Sequence, residues 1–183
     1  MAHSDPAQIE LLVLDVDGVM TDGSVLVDAD GREMKRFNVR DGLGIRVWLR
    51  LGFKVAVITG RSSRALTHRM KELGVEHVIQ DSYDKAQDLD KVLGETDTVV
   101  ACTACLGDDW PDLAMARQVG YPMAVSDADD QLKKAAAHIT TRRGGQGAVR
   151  EAIEHLLEAK GMMQEALALY DTANIRTTEE ENA

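Results

Sequence analysis

Short apolar runs recur along this chain, and each ends in a polar cluster. Residues 10–16, Lys54–Ile58, Val75–Ile79, Thr98–Leu106 and Tyr121–Val125 read as strands. A short apolar run bounded by turn residues suits a strand buried on both faces. Between these runs the spacing turns helical. The first helix covers about 43–51 and is closed by Gly52. A second is capped by Ser62 or Ser63, runs to Leu73 and stops at Gly74. A third covers about 85–94 behind Ser82 or Asp84. Further helices are predicted over about 111–119, opened by Pro111, and over 129–137 and 148–159. His138–Thr140 reads as a last short strand, and Gly144, Gly145 and Gly147 as a flexible connection. An amphipathic helix over about 162–175 precedes the polar, acidic tail TTEEENA. Between the first strand and the first helix, SVLVDADGREMKRF alternates like a β-hairpin with its turn at Asp30-Gly31.

Strands alternating with helices of this length make βαβ units with right-handed crossovers. They predict an α/β fold, a Rossmann-like doubly wound parallel sheet with a short β-hairpin insertion. The expected organisation is a disordered N-terminus over 1–9, one domain over 10–160, and a C-terminal helix with its tail over 161–183.

Composition narrows the picture in a few places. The chain has 183 residues, enough for one well-cored domain, and aromatics at 4% make that core aliphatic. A net charge of −10 argues against nucleic acid and anionic membrane as partners. No apolar run approaches a membrane span, and the N-terminus lacks the basic and apolar regions of a signal peptide, so a cytoplasmic location is expected. Cys102 and Cys105 are spaced C-x-x-C, the spacing of a redox pair or half a zinc site. No second pair of ligands accompanies them, so they read as small apolar residues of a strand.

Three strands end in chemistry-bearing residues: DVD at 15–17, TGR at 59–61 and GDDWPD at 107–112. Lys85 opens a helix. Ligands of open α/β sheets bind at the carboxyl ends of the strands, so these loops are expected to form one site. Asp15, Asp17, Asp108, Asp109 and Asp112 would repel one another without a cation among them, and oxygen-only ligands favour Mg²⁺. Thr59 and Lys85 suit an anion, and acids with Mg²⁺, Lys and Thr are what phosphoryl transfer requires. Asp15 is placed to be the nucleophile, since a carboxylate needs no base to activate it. Asp17 is placed to pass protons to the leaving alcohol and from the attacking water.

These residues resemble the motifs of the haloacid dehalogenase superfamily of phosphotransferases. DVDGVMTDG is similar to its first motif, D-x-D-G-[VT]-x-[TD]-[DG]. Thr59 in ITGR is similar to the second, Lys85 to the third and GDDWPD to the fourth, G-D-D-x-x-D. The resemblance implies that Asp15 is the nucleophile and Asp17 the general acid/base. It further implies that Asp15, the backbone carbonyl of Asp17, and Asp108 bind Mg²⁺, while Thr59 and Lys85 hold the phosphoryl group. Asp109 and Asp112 would support Lys85 or metal-bound water. KRFNVRDGLGI over 35–45, ITGRSS, and RRGGQGAVRE over 142–151 narrow the resemblance to the 3-deoxy-D-manno-octulosonate 8-phosphate phosphatases over roughly residues 10–160. VACTACLGDD is longer and more polar than that pattern.

Most members of the superfamily cover the site with an inserted cap domain. Here the gaps 22–41 and 61–85 hold only a hairpin, and one helix with one strand, so no cap domain is expected. The resemblance implies a homotetramer in which a neighbouring subunit completes the site, with Val25, Leu26, Val27, Met34 and Phe37 as the apolar faces. The implied substrate is a small-molecule sugar phosphate, an eight-carbon ulosonate 8-phosphate of lipopolysaccharide biosynthesis. A nine-carbon, sialic-acid-type 9-phosphate is the alternative. Arg61, beside Thr59 and Gly60, is the expected partner of the sugar carboxylate, with Arg40, Asp41, Arg64 and Arg69 as further candidates and the Gly144-Gly145 loop as a closing element. A receiver-like signalling module also combines acids, Thr and Lys on a parallel sheet. Its phosphorylated Asp lies on a later strand than its acid pair, whereas both acids of DVD share the first strand.

Overall fold

The computed structural model describes residues 3–171. Its strands are β1 (Leu11–Leu14), the hairpin pair β2 (Leu26–Val27) and β3 (Glu33–Met34), β4 (Lys54–Ile58), β5 (His77–Ile79), β6 (Thr103–Gly107), β7 (Tyr121–Ala124) and β8 (His138–Ile139). The helices are α1 (Val39–Arg50), α2 (Arg64–Leu73), α3 (Lys85–Thr96), α4 (Leu113–Ala116), α5 (Asp130–Ala135), α6 (Ala148–Lys160) and α7 (Met163–Ala168). The main sheet has the order β5-β4-β1-β6-β7-β8, and every pairing in it is parallel. β1 lies at its centre and all four of its residues are buried, as its unbroken apolar run requires.

The chain leaves β1 towards β4 and β5, then returns to add β6, β7 and β8 on the other side. With right-handed crossovers this order sends α1 and α2 to one face of the sheet and α3, α4 and α5 to the other. α6 packs on α1, and α3 on α4. The order reverses at β1, so the loops after β1, β4 and β6 open into one crevice at their carboxyl ends.

Several expected boundaries move. Residues 3–9, expected to be disordered, are tied down. Asp5 caps a 3-10 turn at Pro6–Gln8, Ser4 N–H donates to the Gly120 carbonyl, and Ile9 is fully buried. α1 starts at Val39, because the Asn38 side chain caps it, about a turn ahead of the start expected near residue 43. β6 starts only at Thr103. The expected strand residues before it include a 3-10 turn at Val100–Cys102. The helix expected from Pro111 is a 3-10 turn at Trp110–Asp112 followed by the single turn of α4. Cys102 and Cys105 are free thiols, and burial pushes the Cys105 thiol up to about 12. α7 buries Ala166 and ends at Ala168, short of the expected helix end, with residues 169–170 in a turn; residues 172–175 of that expectation and the tail lie outside the described residues. Among the described residues no helix is long and apolar enough to cross a membrane.

Candidate active site

Asp15 follows the last residue of β1, and its N–H continues the sheet ladder to the Leu106 carbonyl at 3.1 Å. The carboxylate therefore starts from the end of the central strand, hydrogen-bonded into the sheet. Lys85, the first residue of α3, reaches it from the other side of the crevice. Its Nζ lies 2.8 Å from Asp15 Oδ1 and 2.7 Å from Asp112 Oδ1, and all three side chains are at most 10% exposed. Burial works against the Lys85 charge, but Asp15 and Asp112 outweigh it, and the ammonium is held above its ordinary pKa.

Asp112 has a second task. Its Oδ2 accepts the Asp108 N–H at 2.9 Å and the Asp109 N–H at 3.4 Å, which folds the loop after β6 beneath the site. Gly107 makes this possible, since a Cβ there would lie 2.5 Å from Asp112 Oδ2. Gly18 plays the same part in DVDG. It has φ +91°, and a Cβ on it would fall 2.0 Å from Asp108 Oδ2. Gly18 thus lets the Asp108 carboxylate close on the loop after β1, and Gly107 lets the Asp112 carboxylate close on the loop after β6.

Asp15, Asp108 and Asp112 offer carboxylate oxygens that all lie within 4.8 Å of one another. This is an all-oxygen donor set fit for a hard divalent cation. The electrostatics agree. Burial, then Asp112, pushes Asp15 up to about 6 against the pull of Lys85. Burial, then Asp15, Asp112 and Asp109, pushes Asp108 up to about 8. Lys85 alone leaves the cluster short of positive charge.

Asp17 belongs to a second group. Its carboxylate pairs with Lys35 and lies 3.7 Å from Arg61 Nε, while Glu33 Oε1 lies 2.9 Å from Arg61 Nη2 and 3.3 Å from Lys35 Nζ. Burial tends to raise the Glu33 pKa, but Arg61 and Lys35 more than offset it and lower it. Glu33 and Lys35 were not singled out in the sequence. Their i, i+2 spacing in the hairpin was the available signal, since it puts both on one face. Lys35 is a buried cation, with its side chain 3% exposed.

A cleft of about 390 Å³ joins the two groups. It is lined by Asp15, Asp17, Asp108, Asp109, Asp112 and Lys85, with Thr59, Gly60, Arg61, Ser82, Tyr83 and Pro111. Thr59 is buried after β4 and fixed by its N–H to the Ile79 carbonyl at 3.0 Å. Every motif residue expected at the site is therefore in it. Lys85 pairs with Asp15 and Asp112, while the Asp109 side chain caps the Trp110 turn.

The other sugar-reading candidates are elsewhere. Asp41 is buried and accepts the Arg150 N–H at 2.8 Å, so it caps the start of α6. Arg40 and Arg69 line a separate cleft between α1 and α2, and Arg64 is exposed outside the catalytic cleft. The Gly144-Gly145 loop, expected as a flexible closing element, is a buttress. Gly145 N–H donates to the Val19 carbonyl at 2.9 Å, and a Cβ on Gly144 would lie 1.6 Å from the Gly18 carbonyl oxygen. It packs against the back of the loop after β1. Phe37, expected on an outer apolar face, is partly buried against the core.

The profile of the haloacid dehalogenase-like hydrolases matches residues 76–153, which include Lys85 and Asp108. The chain is 40% identical over 163 residues to a 3-deoxy-D-manno-octulosonate 8-phosphate phosphatase of Yersinia pestis, covering 89% of this chain and 87% of that one. It is also 40% identical over 158 residues to the Escherichia coli K12 enzyme of the same name, covering 86% and 84%. Among solved structures it is similar to the phosphatase of Moraxella catarrhalis in complex with a magnesium ion, a phosphate ion and a KDO molecule. The TM-score is 0.88 at 36% identity, over 91% of this chain and 96% of that one. The chain belongs to the haloacid dehalogenase-like hydrolases, in the cap-less group of the 3-deoxy-D-manno-octulosonate 8-phosphate phosphatases, and is a phosphoric monoester hydrolase.

Proposed function

We propose that this protein is a Mg²⁺-dependent phosphatase that hydrolyses 3-deoxy-D-manno-octulosonate 8-phosphate to the free sugar acid and phosphate through a phosphorylated Asp15. The observation that carries the reading is the convergence of Asp15, Lys85, Asp108 and Asp112 beside Thr59 in one cleft. The magnesium, phosphate and KDO in the Moraxella catarrhalis structure support the ligand set. Asp15 and Asp108 hold the cation through their side chains and Asp17 through its backbone carbonyl, since its carboxylate is engaged by Lys35 and Arg61. When bound, the cation neutralises charge on the transferring group.

Thr59 and Lys85 orient the phosphoryl group so that an Asp15 carboxylate oxygen faces phosphorus in line with the sugar oxygen. The new O–P bond forms as the bond to that oxygen breaks, and Asp17, protonated in the substrate complex and returning to its pairing with Lys35 and Arg61 as it ionises, supplies the proton the leaving alcohol needs. Asp17, now ionised, takes a proton from the water that cleaves the acyl phosphate. Phosphate leaves and Asp15 is regenerated. Lys35 and Arg61 hold Asp17 in register, and Arg61 is the cleft arginine available to the sugar carboxylate.

A panel of sugar phosphates, assayed by phosphate release with Mg²⁺ and after chelation, tests this. The eight-carbon 8-phosphate is expected to exceed the nine-carbon 9-phosphate and simple hexose phosphates by about tenfold or more in kcat/KM. Chelation is expected to abolish turnover. Preference for the nine-carbon ester would install the alternative substrate, and undiminished activity in chelator would remove the metal.

The hairpin supports a shared site. Val25, Leu26, Val27 and Met34 are 47–56% exposed around a site that no cap domain covers. We infer that they meet other copies of the chain in a homotetramer and that a neighbour closes the cleft, with the domain over 10–160 as the assembling unit. Sedimentation at micromolar concentration is expected to give a tetramer. Leu26→Lys is expected to dissociate it and lower kcat/KM about tenfold, whereas a fully active monomer would refute the shared site.

A further inference from the structure

Most of the residues that line the catalytic cleft carry charged or hydroxyl groups, as binding a phosphoryl group and a cation demands. A sugar has different needs. Its hydroxyls want polar partners, but its C–H faces want an apolar surface. Among the lining residues only Tyr83 and Pro111 offer an apolar ring face, and only Tyr83 carries an aromatic one. Tyr83 lies on the segment between β5 and α3, which the motif pattern passes over on its way to Lys85. It is fully exposed, at 102%.

A lone exposed aromatic is unremarkable on a protein surface. Tyr83 differs in how it is held. Ser82, just before it, donates its N–H to the Thr59 carbonyl at 3.0 Å and its hydroxyl to Asp88 at 2.6 Å. Asp84, just after it, caps α3 by accepting the N–H groups of Ala86 and Gln87, each at 3.1 Å. Two residues before it, Asp81 has φ +55°, a left-handed conformation uncommon outside glycine. The ring thus stands on a short segment pinned at both ends, with one pin on the backbone of Thr59, a residue of the phosphoryl subsite. Tyrosine suits this role because it supplies a large rigid face at the cost of few rotamers.

We propose that Tyr83 is a specificity-determining residue that receives a C–H face of the sugar on its ring and takes no part in the transfer of the phosphoryl group. This rests on the sugar-phosphatase reading above. The contact serves the leaving group only, so it separates the sugar from the phosphate in its effects.

The test compares Tyr83→Ala and Tyr83→Phe with the unmodified enzyme, all saturated with Mg²⁺. Tyr83→Ala is expected to raise KM for the eight-carbon ulosonate 8-phosphate about 5- to 10-fold, with kcat changed less than twofold. It should weaken inhibition by the free sugar acid by the same factor. The inhibition constant of inorganic phosphate and kcat/KM for acetyl phosphate should stay within twofold of the unmodified enzyme. Tyr83→Phe keeps the ring and should keep the KM. Unchanged KM in Tyr83→Ala, equal losses with the sugar phosphate and acetyl phosphate, or a Phe variant as impaired as the Ala variant would each overturn the proposal. The substrate reading is judged separately, on the unmodified enzyme's turnover of the panel, so either idea can fail without the other.

Discussion

Asp15→Asn is expected to abolish phosphate release, with kcat lower by a factor of about 10⁴ or more, while the protein stays folded. The amide fills the same space and still accepts from Lys85, but it has no ionised oxygen to attack phosphorus. Stability should even favour the variant in cation-free buffer at neutral pH. The Asp15 carboxyl is raised from 3.8 to about 6, first by burial and then by Asp112. A carboxyl with a raised folded-state pKa binds its proton more tightly in the folded protein than in the unfolded chain. Its stabilising effect is complete below the unfolded value near 3.8 and fades as pH climbs through about 6. The variant lacks this loss. Thermal unfolding in chelator should therefore place Asp15→Asn level with the unmodified enzyme at pH 4 and at or above it at pH 8. Phosphate release from the variant within tenfold of normal would remove Asp15 as nucleophile.

Lys85→Met is the second large effect, and it strikes stability and activity together. The ammonium sits between Asp15 and Asp112 with its side chain 6% exposed. Without it two buried carboxylates face each other unpaired. Breaking a buried pair in this way costs about 3 kcal/mol or more. In a domain of this size that lowers Tm by about 6–12 °C. Turnover should fall about 10²- to 10³-fold, because a fixed positive charge on the transferring group is gone. A second substitution separates the two roles. Asp112→Asn in the Lys85→Met background should recover part of the lost Tm, since it removes one of the opposed charges, yet restore no activity. Recovery of activity in the double variant would make Lys85 a structural residue only.

Much of this was legible along the chain because burial leaves a periodic record. β1 sits at the sheet centre and its four residues are apolar without interruption, while the solvent-facing sides of α1 and α6 carry the charges. The acids could be read for the complementary reason. Carboxylates at the end of a buried strand are costly, so Asp15, Asp17 and Asp108 stood out against their apolar neighbours. The absence of a cap domain needed only arithmetic on the gaps around the motifs.

What the periodicity left open depends on which distant segments meet. Asp41 reads as a cleft residue in a motif, yet folding carries α6 across α1 and spends its carboxylate on the Arg150 N–H, 109 residues away. The Gly144-Gly145 run reads as a mobile loop. In the fold its lack of side chains is what allows backbone to lie against the Gly18 carbonyl. In the sequence Lys35 does no more than open the KRFNVRDGLGI motif, yet in the fold its side chain is buried against Asp17. Amino-acid order by itself determined the sheet, most of the helices and the place of the candidate acids at the strand ends, because those follow from local patterns of burial and from residue chemistry. Only the tertiary structure decided which charges pair, which glycines permit close approach and which aromatic stands at the rim, because each of those is a contact between segments whose separation along the chain carries no trace of their meeting.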